Sequence, residues 1–307
     1  MKPRVTVIGS ANLDTFICTD HYPKMGETLL ATAIHQFPGG KGANQAVAAA
    51  KLGAEVTFIG AFGKDEAGKQ LKKALLQEGI DISFSPTLTE KNTGTAYILS
   101  TPGDNLVIVD SGANHSLTAT HIDSVRTVIQ ESDLLLLQLE IPLQTVQHAC
   151  QIAFQCDIPI ILNPAPAALL PTSLIELVSL LTPNEHELQA LLHPTEKVID
   201  LDTMSAQMQD KIIVTKGAEG VMYYDSGSMK SKCAYPVKVV DTTGAGDVFN
   251  GALAAFWHLG REQAISKAIA AASLSVTKMG AFSSAPSYEE LEKFLNNNLP
   301  QTKSSSV

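Results

Sequence analysis

Cysteine is scarce in this chain of 307 residues. Cys18, Cys150, Cys156 and Cys233 are the only ones, and none form a C-x-x-C pair. That excludes a disulfide-dense secreted scaffold and a thiolate zinc site, and it fits reduced thiols in a cytoplasmic protein. The eight histidines are scattered, with no H-E-x-x-H, so a zinc-hydrolase motif is also missing. Basic charge is short. There are 22 Lys and Arg against 31 Asp and Glu, a net charge of -9, which argues against nucleic acid or an anionic membrane as a broad partner. A local phosphate pocket stays compatible with that balance. No apolar run approaches the ~18 residues of a membrane span. Val5 to Ile8 is too short for a signal-peptide core and reads as a first strand. Long repeats and low-complexity tracts are lacking. With 45% hydrophobic and 17% charged residues, the chain has the composition of a globular protein with a large core.

Short apolar runs alternate with helical patterns. Val5–Ile8, Val56–Ile59, Leu134–Leu139, Ile158–Leu162, Leu177–Leu181 and Ile212–Thr215 read as strands. Helices are expected over Ala43–Leu52, from about Asp65 to Gly79, and from Pro142. This rhythm predicts an α/β fold with a mostly parallel, doubly wound sheet, whose ligands sit at the carboxyl ends of the strands. Asn12, Asp14, Glu140, Asn184 and Thr215 all follow apolar runs, at expected strand ends. Two segments, 15–37 and 93–110, carry strand-like residues with no helix between, and Pro23, Gly26, Pro102 and Gly103 mark turns in them. They read as a small β-sheet lid on a body made of 1–14, 38–92 and 111–299. The polar segment 300–307 reads as a disordered tail.

The most informative stretch is Asp241-Thr242-Thr243-Gly244-Ala245-Gly246-Asp247, followed by a periodic apolar run through Trp257. If that run is a helix, Gly244 to Gly246 form its first turn, where free N–H groups and the helix dipole make an anion site. Asp247 beside such a cradle suits a general base that deprotonates an alcohol for phosphoryl transfer. A second cluster, Gly39-Gly40-Lys41-Gly42-Ala43-Asn44, also runs into a helix. Gly42 follows Lys41, so this is not a Walker A loop. Asn184 and Glu187 lie one turn apart and can face one site, and they also fit a capping box.

These motifs, with Gly9–Asp14, Gly26-Glu27-Thr28, Gly60–Gly68, Gly112-Ala113-Asn114 and Asn184–Glu187, stand in the order found in the ribokinase-like (PfkB-type) carbohydrate kinases. The chain resembles that family over nearly its whole length. The resemblance implies ATP-dependent phosphorylation of D-ribose at its 5-hydroxyl. It makes Asp247 the base, with the N–H groups of Gly244, Ala245 and Gly246 as the anion hole. It places Asn12, Asp14, Gly39, Gly40, Lys41, Asn44 and Glu140 on the sugar. Asn184 and Glu187 would order Mg²⁺-bound waters and phosphates. Thr215, Lys216, Gly217, Ala218, Glu219 and Gly220, with Gly246, would lie along ATP. Asp241, Thr243, Ser275, Lys278, Gly280 and Ser284 match positions that hold a potassium-type ion, largely through backbone oxygens.

Three other readings remain at this stage. Another sugar or nucleoside, such as deoxyribose or fructose, could be the substrate of the same family. A non-catalytic sugar-binding regulator could share the fold, although the intact Asp247 turn argues against it. A dinucleotide-dependent dehydrogenase needs G-x-G-x-x-G after the first strand, and Gly9–Asp14 does not supply it. Leu106–Val109 is apolar on both alternating faces, as is Ala96–Leu99. Such strands are expected to be covered on both sides, one over the sugar. The other would meet the lid of a second subunit in a homodimer, as the resemblance implies, or the lid's own body.

Overall fold

The computed structural model describes residues 2–102, 104–192, 210–225 and 227–298. The chain opens with β1 (Arg4–Ile8), β2 (Asn12–Cys18), β3 (Ala33–Gly39), α1 (Lys41–Lys51), β4 (Glu55–Ile59), β5 (Phe62–Gly63) and α2 (Glu66–Gln77). It continues through β6 (Thr87–Leu88), β7 (Gly94–Thr101), β8 (Asp104–Asp110), α3 (Ala119–Ser124), α4 (Arg126–Gln130), β9 (Leu134–Leu137), α5 (Leu143–Gln155) and β10 (Ile160–Leu162). Then come α6 (Thr172–Leu177), β11 (Leu180–Leu181), α7 (Glu185–Leu192), β12 (Ile213–Thr215), β13 (Val221–Asp225) and β14 (Ser228–Lys232). Three helices close the described chain: α8 (Ala245–Phe256), α9 (Arg261–Ser275) and α10 (Tyr288–Asn298).

The central sheet has the order β11-β10-β9-β1-β4, every pair parallel. Parallel bridges Leu181↔Ile212 and Asn184↔Thr215 carry it on to β12, where β13 and β14 add antiparallel strands. Its strands are apolar at successive positions because both faces are covered. Leu134 and Leu136 enter one core with α1, α2, α8 and α9. Leu135 and Leu137 enter the other with α3, α4 and α5. This is the doubly wound layout expected from the sequence. One apolar run is divided: Leu177 ends α6, and only Leu180 and Leu181 form the strand, since a continuous apolar run has no period to tell helix from strand.

The second sheet is lid-like, in the order β3-β2-β7-β8. β2 pairs antiparallel with β3 and parallel with β7, and β7 pairs antiparallel with β8. Only Gly9 to Ala11 separate β1 from β2. Asn12 and Asp14 are therefore residues of a lid strand, not of a loop that ends β1, because both are paired on two sides, Asn12 with Gly39 and Gly94 and Asp14 with Phe37 and Ala96. β8 departs from its expected burial. Leu106, Val107, Ile108 and Val109 are 46%, 56%, 62% and 52% exposed, so the described residues leave both faces about half uncovered. Residues 300–307 lie outside the described residues.

Candidate active site

Gly244 caps α8 in the left-handed region, φ 74°. A Cβ there would also meet the Ala281 Cβ at 2.5 Å, so conformation and space both demand glycine. Ala245 N–H donates to the Thr242 carbonyl (3.2 Å). The Gly246 and Asp247 N–H groups follow in the first turn, where a helix offers no internal acceptor. Gly244, Ala245, Gly246 and Asp247 line a cavity, and nothing lies within 4 Å of where a Gly246 Cβ would project, so the turn borders open space. Asp247 is 8% exposed. Its Oδ2 accepts from Asn44 Nδ2 (2.9 Å) and its Oδ1 from Gln45 Nε2 (3.0 Å). Both donors ride on α1, which packs against α8 where a Gly251 Cβ would meet the Gln45 carbonyl at 2.5 Å.

The seam between lid and body supplies acceptors. Asp14 Oδ1 and Asn44 Oδ1 are buried without a hydrogen-bond partner. Burial, with the Glu140 and Asp247 carboxylates adding to it, pushes the Asp14 carboxyl up to about 7. Two orphaned acceptors fit a ligand that brings hydroxyl donors, as a sugar does. Glu140 is already engaged by the Lys41 N–H (3.0 Å) and Ser10 Oγ. Asn12 Oδ1 accepts from Asn114 Nδ2 (2.7 Å), and Asn114 Oδ1 accepts from Ala11 N–H (3.0 Å).

Two cavities meet at the α8 turn. A polar one of ≈ 210 Å³ is lined by Lys41, Asn184, Glu187, Gly246 and Asp247 among others. Burial lowers the Lys41 pKa, but the carboxylates of Asp247, Glu140 and Glu187 outweigh it and hold the ammonium above its ordinary value. Glu187 is raised, chiefly by burial, with Asn184 N–H and Lys41 opposing. The larger cavity, ≈ 570 Å³, lies between the β12–β13 turn and α8–α9, with Val221, Tyr235, Phe249 and Val276 in its wall. Thr215, Thr242, Ala245 and Gly246 line both. One groove thus has an apolar end for a flat base and a polar end for phosphates.

Residues 2–287 match the family described as pfkB family carbohydrate kinase. The chain belongs to that family. It is 40% identical over 294 residues to the ribokinase of Bacillus subtilis (strain 168), covering 95% of this chain and 99% of that protein. The ribokinase of Haemophilus influenzae (strain ATCC 51907 / DSM 11121 / KW20 / Rd) is also 40% identical, over 304 residues, 96% of this chain and 99% of that protein. The solved structure of Arabidopsis thaliana ribokinase complexed with ribose and ATP superposes with a TM-score of 0.88 at 31% identity, over 96% of this chain and 99% of that one. This carbohydrate kinase is therefore a phosphotransferase.

The kinase brings most of the sequence-derived residues together. Asp14, Lys41, Asn44, Glu140 and Asp247 converge on the seam between lid and body. Gly39 and Gly40 close β3 and cap α1. Asn184 and Glu187 form a reciprocal capping box, Asn184 N–H to Glu187 Oε2 (2.9 Å) and Glu187 N–H to Asn184 Oδ1 (2.8 Å), while both also line the polar cavity. On the nucleotide side, Thr215, Gly217, Ala218 and Gly220 line the groove. Lys216 and Glu219 do not; their side chains pair with each other (2.8 Å). Asp241 ties the α8 loop to the segment after α9: Oδ1 accepts from Thr243 N–H (2.9 Å) and Oδ2 from Gly280 N–H (2.9 Å). Ser275 and Ser284 hydroxyls bond carbonyls in their own turns, and Lys278 pairs with Glu290. Sequence reasoning missed Gln45, Gln138, Asn163, Thr182 and Asn250, which form a buried network beside Asp247, the last three also lining the polar cavity. Gln138, Asn163 and Thr182 each follow the apolar run of a central strand, and that position was the available signal.

Proposed function

We propose that this kinase transfers the γ-phosphoryl group of ATP to the 5-hydroxyl of D-ribose, giving ribose 5-phosphate and ADP. The observation that carries it is the placement of Asp247, fixed by two amides between orphaned hydroxyl acceptors and an open N–H cradle. Asp14 and Asn44 grip ring hydroxyls. Asp247 takes the proton of the 5-hydroxyl as its oxygen bonds phosphorus and the bond to the ADP oxygen breaks. The Gly246 turn and Lys41 stabilise charge on the phosphoryl oxygens. A coupled ADP-release assay across ribose, deoxyribose, fructose and nucleosides tests the substrate; ribose turning over more slowly than deoxyribose or fructose would reassign it.

Glu187, partly buried beside Lys41 and Asp247, and Asn184 offer oxygen donors suited to the waters of a hard Mg²⁺ that enters with ATP. Bound there, the ion would neutralise phosphate charge. The Asp241–Gly280 tie brings together two loops whose backbone oxygens suit a potassium-type cation. Because Gly244 abuts Ala281, an ion in these loops would order the cradle. Replacing a bulky organic cation by K⁺ at fixed ionic strength should raise turnover, and Na⁺ should do less. Equal rates in all three buffers would remove the cation from the reading.

We further infer the body-and-lid division read from the sequence, with the first lid segment widened from 15–37 to 12–39 because β2 and β3 pair throughout those residues, the second kept at 93–110, and a cytoplasmic homodimer through that lid. The exposed apolar residues on both faces of β8 support it, since a contiguous apolar edge left in water marks an interaction surface. Sedimentation at micromolar concentration should give twice 32.6 kDa. Val107→Asp with Val109→Asp should give a monomer, whereas a wild-type monomer at high concentration with full activity would refute the lid dimer.

A further inference from the structure

Buried polar side chains from several elements form one hydrogen-bonded chain that starts behind Asp247 at Gln45 and Gln138 and reaches the wall of the polar cavity at Asn163, Thr182 and Asn250. Gln45 and Gln138 are 0% exposed. Gln138 Nε2 donates to Gln45 Oε1 (2.6 Å). That contact turns the Gln45 amide so that Nε2 faces Asp247 Oδ1 (3.0 Å) and Asn163 Oδ1 (3.1 Å), committing both its protons. Asn163 Nδ2 donates in turn to the Thr182 carbonyl (3.1 Å). Thr182 Oγ1 donates to Asn250 Oδ1, and Asn250 Nδ2 donates to the Gly246 carbonyl (2.9 Å). The chain therefore ends on the carboxylate of Asp247 and on the peptide joining Gly246 to Asp247. That peptide is planar, so fixing its carbonyl aims the Asp247 N–H the opposite way, toward the cradle.

A purely structural core would not be built like this. Buried amides are costly unless every polar atom is met, and an apolar side chain of equal size avoids the cost. Here Gln138 Oε1 is left without a partner, so the network is incomplete, yet every contact that sets the polarity of Gln45 is made. We propose that Gln45 is a positioning residue for phosphoryl transfer, holding the Asp247 carboxylate in one rotamer, with Gln138 fixing the direction of its amide. The proposal rests on Asp247 acting as the base. Asn44, the other donor to Asp247, has its own Oδ1 unpartnered and belongs to the sugar side. Gln45 has no free polar atom left for a ligand. Its removal should therefore act on the rate and not on sugar affinity.

The test uses Gln45→Leu and Gln138→Leu in the whole protein, with turnover expressed per binding site counted by calorimetric titration with ADP. Gln45→Leu should lower kcat per site by ~10–100-fold, the cost of a misplaced reacting group, with the KM for ribose within about threefold of wild type. Gln138→Leu leaves Gln45 free to rotate its amide and should lower kcat in the same direction but less, by ~3–10-fold. If Gln45→Leu does not fold, Gln138→Leu decides alone. A loss of thermal stability with kcat per site within twofold of wild type in the folded variants, or a raised KM at full kcat, overturns the proposal. Asp247→Asn is assayed alongside. Full turnover there would remove the base itself, while an inactive Asp247→Asn beside a fully active Gln45→Leu would remove only the positioning role.

Discussion

Asp247→Asn should cut turnover by ~10²–10⁴-fold, the usual cost of losing a general base, while calorimetric binding of ribose and ADP is largely kept. The size follows from the surroundings. Asn44 and Gln45 both present donors to the carboxylate, so neither group bonded to it can take the hydroxyl proton in its place. The same geometry adds a second expectation. An asparagine amide has one donor end: against Gln45 it makes a mismatched buried pair costing ~1–3 kcal/mol, and against Asn44 it is met only if that amide turns over to present its unpartnered Oδ1, which gives up the native contact. The variant should thus melt lower than wild type. Asp247→Ala, which carries no donor, is the companion that separates lost base from mismatch. If turnover falls less than about tenfold in both, Asp247 is not the base.

Asp14→Ala should weaken ribose on the order of 10- to 100-fold and leave ADP nearly unchanged, since a hydroxyl site with a missing partner leaves buried groups unpaired. Asp14 also predicts a pH dependence. Its carboxyl is raised to about 7, first by burial and then by Glu140 and Asp247. In the free protein it keeps a proton that the unfolded chain loses near its ordinary value. Its contribution to stability is complete below that ordinary value and is lost as pH rises through about 7. Melting of the ligand-free kinase should fall over this window more steeply than melting of Asp14→Asn. Ribose binding should move the other way. The ionised carboxylate accepts two hydroxyl bonds, so affinity should rise from pH 6 to 8. A flat ribose affinity in wild type, or the same slope in Asp14→Asn, would take the sugar contact away from Asp14.

What could be read from the sequence follows how local each feature is. The α8 turn was legible because its chemistry lies in seven consecutive residues, although the left-handed cap at Gly244, one residue before the first turn, was not read from them. The parallel sheet was legible because each strand is a continuous apolar run. Gln45 was not singled out, because its meaning depends on Gln138, Asn163 and Asp247, 93, 118 and 202 residues away. Asp14 was placed on the wrong element. A short turn between β1 and β2 gives no loop signature, so a strand residue read as a strand end. Leu106 to Val109 show the limit in the other direction: a pattern that demands cover states nothing about which molecule provides it.

The start of β2 at Asn12 has a mechanical consequence. Asp14 belongs to the upper sheet, whereas Asn44 and Asp247 belong to helices packed on the lower one. A sugar held by all three would act as a splint across that seam, stiffening the two halves against each other much as a crosslink would. Release would then require the splint to break at the Asp14 end whenever the upper sheet tilts away. On this view the dwell time of the sugar and the rocking of the sheet are one motion, and a tighter grip at Asp14 would be felt as a slower hinge.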